Sequence, residues 1–126
     1  MRTAALIAGL CLSLNAFAAT QTLTCNSSDF DPQNYDGQSL SVTITDGVVT
    51  RIAKNQGSWF CDDGKNESPK LLVKTEAKQV YDAQMNCDEY HARLIVHPAD
   101  LTKMTYVFSY PDDERDRTDN VDLTCK

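Results

Sequence analysis

A chain of 126 residues with 18 Asp and Glu against 12 Lys and Arg, a formal charge of −6, is sized for one domain with an acidic surface. That surface repels nucleic acid, whose binding depends on cations that neutralise phosphates, and favours encounter with basic proteins. No stretch reaches the roughly 20 consecutive apolar residues that a membrane-spanning helix requires, so stable membrane insertion is not expected.

The chain opens on a leader. Residues 1–18 run from a basic residue (Arg2) through the apolar Ala4–Leu14 to Ala16-Phe17-Ala18, the order of a secretory signal peptide. Cys11 lies in mid-run behind the bulky Leu10, which does not suit a lipid-attachment site. Cleavage after Ala18 would leave residues 19–126 as a single disulfide-stabilised β domain, with 11 cations against 18 anions and a charge of −7. The alanine-rich cleavage region points to a bacterial host, and so to the periplasm or the extracellular space.

Beyond the leader the governing signal is alternation. Leu40-Ser41-Val42-Thr43-Ile44-Thr45 sends apolar groups one way and hydroxyls the other. The run from Tyr81 to Asp88 alternates without a break, and Met104, Tyr106, Phe108 and Tyr110 share a face, as do Val121, Leu123 and Cys125. Successive side chains on a strand point to opposite faces, so each run reads as a half-buried antiparallel strand. Strands are expected near 20–26, 38–45, 48–55, 57–62, 70–76, 79–87, 92–97, 103–110 and 120–125, with one short helical turn over 99–103. Those at 57–62 and 70–76 carry the weakest pattern, because Leu71-Leu72-Val73 breaks the alternation. Asp46-Gly47 marks a hairpin. A plain two-residue loop would set Val42 against Arg51, so a three-residue loop with Gly47 as a left-handed bulge is expected, pairing Ile44 with Val48 and Leu40 with Ile52. Short loops throughout predict an up-and-down meander of about eight strands, closed or nearly closed as a barrel. A two-sheet β-sandwich is the alternative.

Without the leader four cysteines remain, and they allow three pairings. Loop entropy does not separate the nested from the sequential set. Topology favours the nested set, Cys25–Cys125 with Cys61–Cys87, since the first and last strands of a closed meander are neighbours. Wide spacings and export argue against a metal or thiol site.

The candidate chemistry is sparse. Asp29, Asp31, Asn34 and Asp36, ahead of Gly37, offer oxygen ligands of the kind calcium takes, although Asp, Asn, Pro and Gly are also the residues of any long turn. Trp59 shares the parity of Cys61, which leaves Phe60 outward beside a turn as an aromatic anchor for a partner. Asp112, Asp113, Glu114 and Asp116, with Asp119, make the segment before the last strand an acidic finger for a basic cleft, or else a solvated hairpin tip. His91 and His97 stand roughly 20 Å apart on one strand, too far to share a metal, and neither carries a triad-like spacing. Asn26-Ser27-Ser28 and Asn66-Glu67-Ser68 match the glycosylation acceptor pattern.

With no nucleophile, acid–base pair or metal constellation at telling spacing, no enzyme and no cofactor are expected. The leading expectation is an exported, monomeric binding module, an inhibitor of a basic protein such as a secreted hydrolase. In size, export and disulfide-tied β architecture the chain is similar to bacterial periplasmic lysozyme inhibitors, an analogy of architecture without shared motifs. The alternative is a carrier of a small apolar ligand, with Tyr81, Met85, Met104, Tyr106, Phe108 and Tyr110 lining an open barrel; the same residues could fill it.

Overall fold

Alternating residues build nine antiparallel strands here, all in one curled half-barrel sheet, with no helix among the described residues. The computed structural model describes residues 19–57, 63–87, 91–110 and 117–126. The strands are β1 (Thr20–Ser27), β2 (Ser39–Thr45), β3 (Val48–Gln56), β4 (Lys65–Asn66), β5 (Leu71–Lys74), β6 (Gln79–Asp82), β7 (His91–Val96), β8 (Lys103–Tyr110) and β9 (Arg117–Cys125).

Their order in the sheet is β4-β3-β2-β1-β9-β8-β7-β6-β5. Two meanders therefore run outward from a centre where the first and last strands pair, Cys25 opposite Cys125. The ends of the sheet, β4 and β5, are consecutive in the chain. Of the closed or nearly closed barrel expected, the meander and its curl are present but the described residues stop at a half-barrel: β4 is only two residues long, and among those residues β5 pairs with β6 alone. The curl is drawn together near β4 by other means. Asn86 N–H donates to the Lys65 carbonyl at 3.1 Å, and the Asn66 amide donates to the carbonyls of Asp82 and Gln84 at 3.2 and 3.0 Å.

The β2–β3 hairpin corrects the expected turn. Thr45 pairs with Val48 and Ile44 with Val49, so the loop is the two residues Asp46 (φ 53°) and Gly47 (φ 77°), the doubly left-handed turn that matches strand twist. The irregularity is one step further in, between Thr43↔Arg51 and Ile44↔Val49, and leaves Thr50 as the extra residue. A bulge restores parity just as a longer loop would: Val42 meets Ile52, and Arg51 stays outside opposite Thr43. The same register sets Leu40 against Lys54 rather than Ile52, and a second irregularity, between Leu40 and Ser39, leaves Asn55 as the extra residue before Ser39↔Gln56.

Other departures are local. The expected strand over 79–87 keeps its burial alternation through Ala83 and Met85, but its ladder ends at Asp82, beyond which the Ala83 amide reaches the Ala92 carbonyl at 2.9 Å. The strand expected over 57–62 falls on residues outside those described, Gly57 apart, and β4 had no counterpart in the sequence reading. Where a helical turn was expected over 99–103, residues 98–99 and 101–102 form turns and Lys103 opens β8, with Asp100 accepting from the amide of Thr102 at 3.1 Å.

The interior is filled by the inward face of every long strand. Cys25, Leu40, Val42, Ile52, Tyr81, Leu94, Met104, Tyr106 and Leu123 form its centre, and truncating one such aliphatic group to alanine costs about 2–5 kcal/mol. Among the described residues five polar ones are buried as well: Ser27, Ser39, Lys54, Gln56 and Gln79. Lys54 is buried with its ammonium 5.7 Å from the centre of the Tyr106 ring. Gln56 donates to the Asp31 and Asp36 carbonyls at 3.2 and 2.7 Å, tying the 31–36 loop to the sheet. Gln79 accepts the hydroxyl proton of Tyr81, while Val49 N–H donates to the Tyr81 oxygen at 3.1 Å. Tyr81 is thus buried and anchored beneath the β2–β3 hairpin.

Candidate binding surface

The cysteine framework is the best-defined constellation. Cys25 and Cys125 are bonded across directly opposed positions with Cα atoms 4.0 Å apart. The bond is buried, with the Met104 sulfur 3.9 Å from that of Cys25. Backbone bonds between Thr24 and Lys126, at 2.9 and 3.0 Å, flank it. Cys87 is likewise in disulfide linkage and lies at the surface; Cys61, its expected partner, is outside the described residues.

The acidic segment 111–116 is approached by the longest uninterrupted ladder in the sheet among the described residues. β8 and β9 pair without a break from Lys103↔Thr124 to Tyr110↔Arg117, so the strands entering and leaving the segment 111–116 are held in one register. Asp112, Asp113, Glu114 and Asp116 belong to that segment and lie outside the described residues, as do Trp59 and Phe60. Asp119 is described: it is half-buried on β9, opposite Phe108.

The oxygen-rich loop is engaged with itself. The Asp31 carboxylate accepts from the side chain of Asn34 at 2.6 Å and from the amide of Gln33 at 2.9 Å. The side-chain bond first, then that amide, holds its carboxyl below the usual 3.8. Asp29 accepts from the Ser27 hydroxyl at 2.6 Å, and Asp31 and Asp36 pair through their backbones. Among the described residues no group of three or more His, Cys, Asp or Glu side chains is placed to hold a metal. Gly37 (φ 80°) lets the chain pass Phe30, since a Cβ there would sit 2.6 Å from the Phe30 backbone.

The two histidines occupy separate surface grooves. His97, Asp100, Lys103 and Asp122 border one of about 560 Å³; His91, Arg93 and Thr118 border another of about 410 Å³. Asp100 has its carboxyl lowered below 3.8, chiefly by the hydroxyl of Thr102 and then by its amide. Among the described residues neither imidazole hydrogen-bonds to a carboxylate or hydroxyl. Of the two acceptor asparagines, Asn66 spends both amide protons on backbone carbonyls.

Inward Lys54, Gln56 and Gln79 were missed by the sequence reading. Lys54 keeps the parity of Ile52, the one signal that could have placed it inside. Comparison with family models, characterised proteins and solved structures gave no match to this chain.

Proposed function

We propose that the protein is an exported binding module in which a rigid half-barrel presents the acidic segment 111–116 to a basic protein partner, acting as an inhibitor where that partner is a secreted hydrolase with a positive cleft. The observation that carries this reading is the unbroken β8–β9 ladder leading to a segment with Asp112, Asp113, Glu114 and Asp116 against a single Arg115. Fixing the strands on either side of such a segment lowers the entropy lost on binding, and its charge speeds encounter with a cationic surface. In this reading Cys61–Cys87 is the second staple, and the oxidising compartment that maintains the Cys25–Cys125 bond is the periplasm or beyond.

The interior weighs against the carrier alternative. Tyr81, Met85, Met104 and Tyr106, the side chains a ligand would displace, are no more than 3% exposed and belong to one packed cluster.

The test is inhibition of lysozymes of several classes at micromolar protein, together with affinity capture from periplasmic extract at two salt concentrations. Binding should weaken with salt and fall at least tenfold, on the order of 1.4 kcal/mol, in a variant carrying Asp112→Asn, Asp113→Asn, Glu114→Gln and Asp116→Asn. Binding indifferent to both salt and these substitutions would sink the reading. A bound apolar ligand released on denaturation would restore the carrier.

A further inference from the structure

We propose that the free edge of β5 is a second binding site, which takes an extended aliphatic peptide with acidic flanks as an added strand of the sheet. This goes beyond the acidic-segment reading and does not depend on it.

Among the described residues the sheet ends at β5, whose only hydrogen-bonded neighbour is β6. An edge strand presents a row of unpaired amides and carbonyls, a template for another chain. The start of β3 lies against β6, where the amide of Val49 donates to the Tyr81 hydroxyl oxygen and the Gln79 amide to the Gly47 carbonyl at 3.5 Å. Among the described residues β4 pairs only with Ile52 and Ala53 of β3, so the sheet keeps an unpaired rim at β5 and at the first half of β3.

Apolar side chains collect along it. Among the described residues five large hydrophobic groups are exposed, and four belong to these two edges: Leu71 at 38%, Leu72 at 40%, Val73 at 44% and Val48 at 44%. The apolar surface continues onto the outer face. Val73 pairs with Val80 and Val80 with Ile95, and Val80 is buried although it lies outside the core cluster. Strand addition uses this combination, with backbone bonds supplying affinity and alternate side chains supplying selectivity.

Charge selects the occupant. From Lys65 to Lys78 the chain carries four lysines (Lys65, Lys70, Lys74, Lys78) and two glutamates, in a protein that is acidic as a whole. Glu67 is engaged by Arg51 at 3.3 Å and by Lys65 at 3.9 Å, and Glu76 stands in the β5–β6 turn. Lys70 and Lys74, at the two ends of β5, are exposed. Two copies pairing through β5 would bring both sets of lysines to one seam, and like charges there are unfavourable. A peptide with carboxylates at its ends meets them favourably. Brevity, the irregularity at Leu71/Val73 and the lysines also guard the edge against self-pairing.

The experiment titrates the isotope-labelled oxidised protein with a synthetic peptide, Glu-Asp-Val-Thr-Val-Thr-Val-Glu-Asp, and with a version flanked by lysines, following amide shifts and hydrogen exchange. The acidic peptide should shift and protect Leu71–Lys74 and perturb Val48–Thr50, at least tenfold more tightly than its lysine counterpart. The Lys70→Glu, Lys74→Glu variant should reverse that preference, and Leu72→Asp, at an exposed position, should abolish binding without altering the remaining spectrum. No shift at β5 up to millimolar peptide overturns the proposal, as do equal affinities for the two peptides. A concentration-dependent dimer abolished by Leu72→Asp would overturn it in favour of a second copy.

Discussion

Replacing Cys25 and Cys125 together by alanine should lower the unfolding free energy by about 5–6 kcal/mol. The two residues are 100 positions apart, and opening a loop of that length in the unfolded chain is worth about 4.7 kcal/mol on the chain-entropy account. Dependence on length is logarithmic, so a further cross-link that shortens the loop by a quarter subtracts only about 0.3 kcal/mol. Both sulfurs are buried and one touches Met104, so their loss also leaves small voids that add on the order of 1 kcal/mol. The sum is comparable to the whole stability of a typical domain, about 5–15 kcal/mol. Urea unfolding followed by far-ultraviolet circular dichroism reads both the midpoint and the slope. The midpoint should fall, and the slope should steepen because the freed unfolded chain exposes more surface. Thiol titration confirms that the linkage of Cys87 survives in the variant. A loss under about 2 kcal/mol with an unchanged slope would refute the entropic reasoning and assign the closure to the strand pairing alone.

Tyr81→Phe should cost about 1–3 kcal/mol, because it strands the Val49 amide and the Gln79 carbonyl at a buried position; faster hydrogen exchange at Val49 checks the cause. Gly37→Ala and Gly47→Ala both place a side chain at positive φ, but only the former also drives a Cβ into the Phe30 backbone. Thermal melts should therefore rank Gly37→Ala well below Gly47→Ala, whose penalty is about 1 kcal/mol; equal losses would contradict the predicted clash. The carboxyls of Asp31 and Asp100 should titrate below 3.8 in carbon-detected magnetic resonance. Since the folded values are depressed, their contribution to stability is complete above 3.8 and is lost as pH falls through those folded values. Thr102→Val should bring Asp100 back toward 3.8.

What the sequence made legible is the in–out alternation, because burial imposes it directly. Leu40, Val42, Ile44, Leu94, Met104 and Tyr106 are all inside as their parity demands, and Cys25–Cys125 followed from bringing the first and last strands together. Ladder bonds are less legible. Ala83 and Met85 remain buried on alternate positions after the pairing of β6 has ended, since a side chain needs a core but its backbone needs only some partner. Thr50 shows a second ambiguity: a bulge in the turn and one just inside the strand give the same facing for Val42 and Ile52, and differ in whether Val48 or, as found, Val49 turns inward. Leu71-Leu72-Val73 broke the pattern for a physical reason, as an irregular edge strand exposed on both faces has no parity to keep. The short β4 is held by Asn66 through side-chain bonds to Asp82 and Gln84, contacts between segments that no local periodicity encodes. The charge of the proposed acidic site is legible in the sequence while the β8–β9 ladder behind it is not; the β5 edge depends on strand order, in which β5 has a neighbour on one side alone among the described residues.

The placement of the first and last strands at the middle of the sheet has a consequence for how the polypeptide could be rewired. β1 and β9 form the one pairing that spans the length of the chain, whereas nearly every other pair is a local hairpin. A circular permutant joining Lys126 to Ala19 through a short linker, and opened between β4 and β5, would read β5-β6-β7-β8-β9-β1-β2-β3-β4. Order along the chain would then equal order across the sheet. Every contact between neighbouring strands would become local, and the lowered contact order should quicken folding. The natural connectivity instead holds the sheet in two halves until its most distant residues meet.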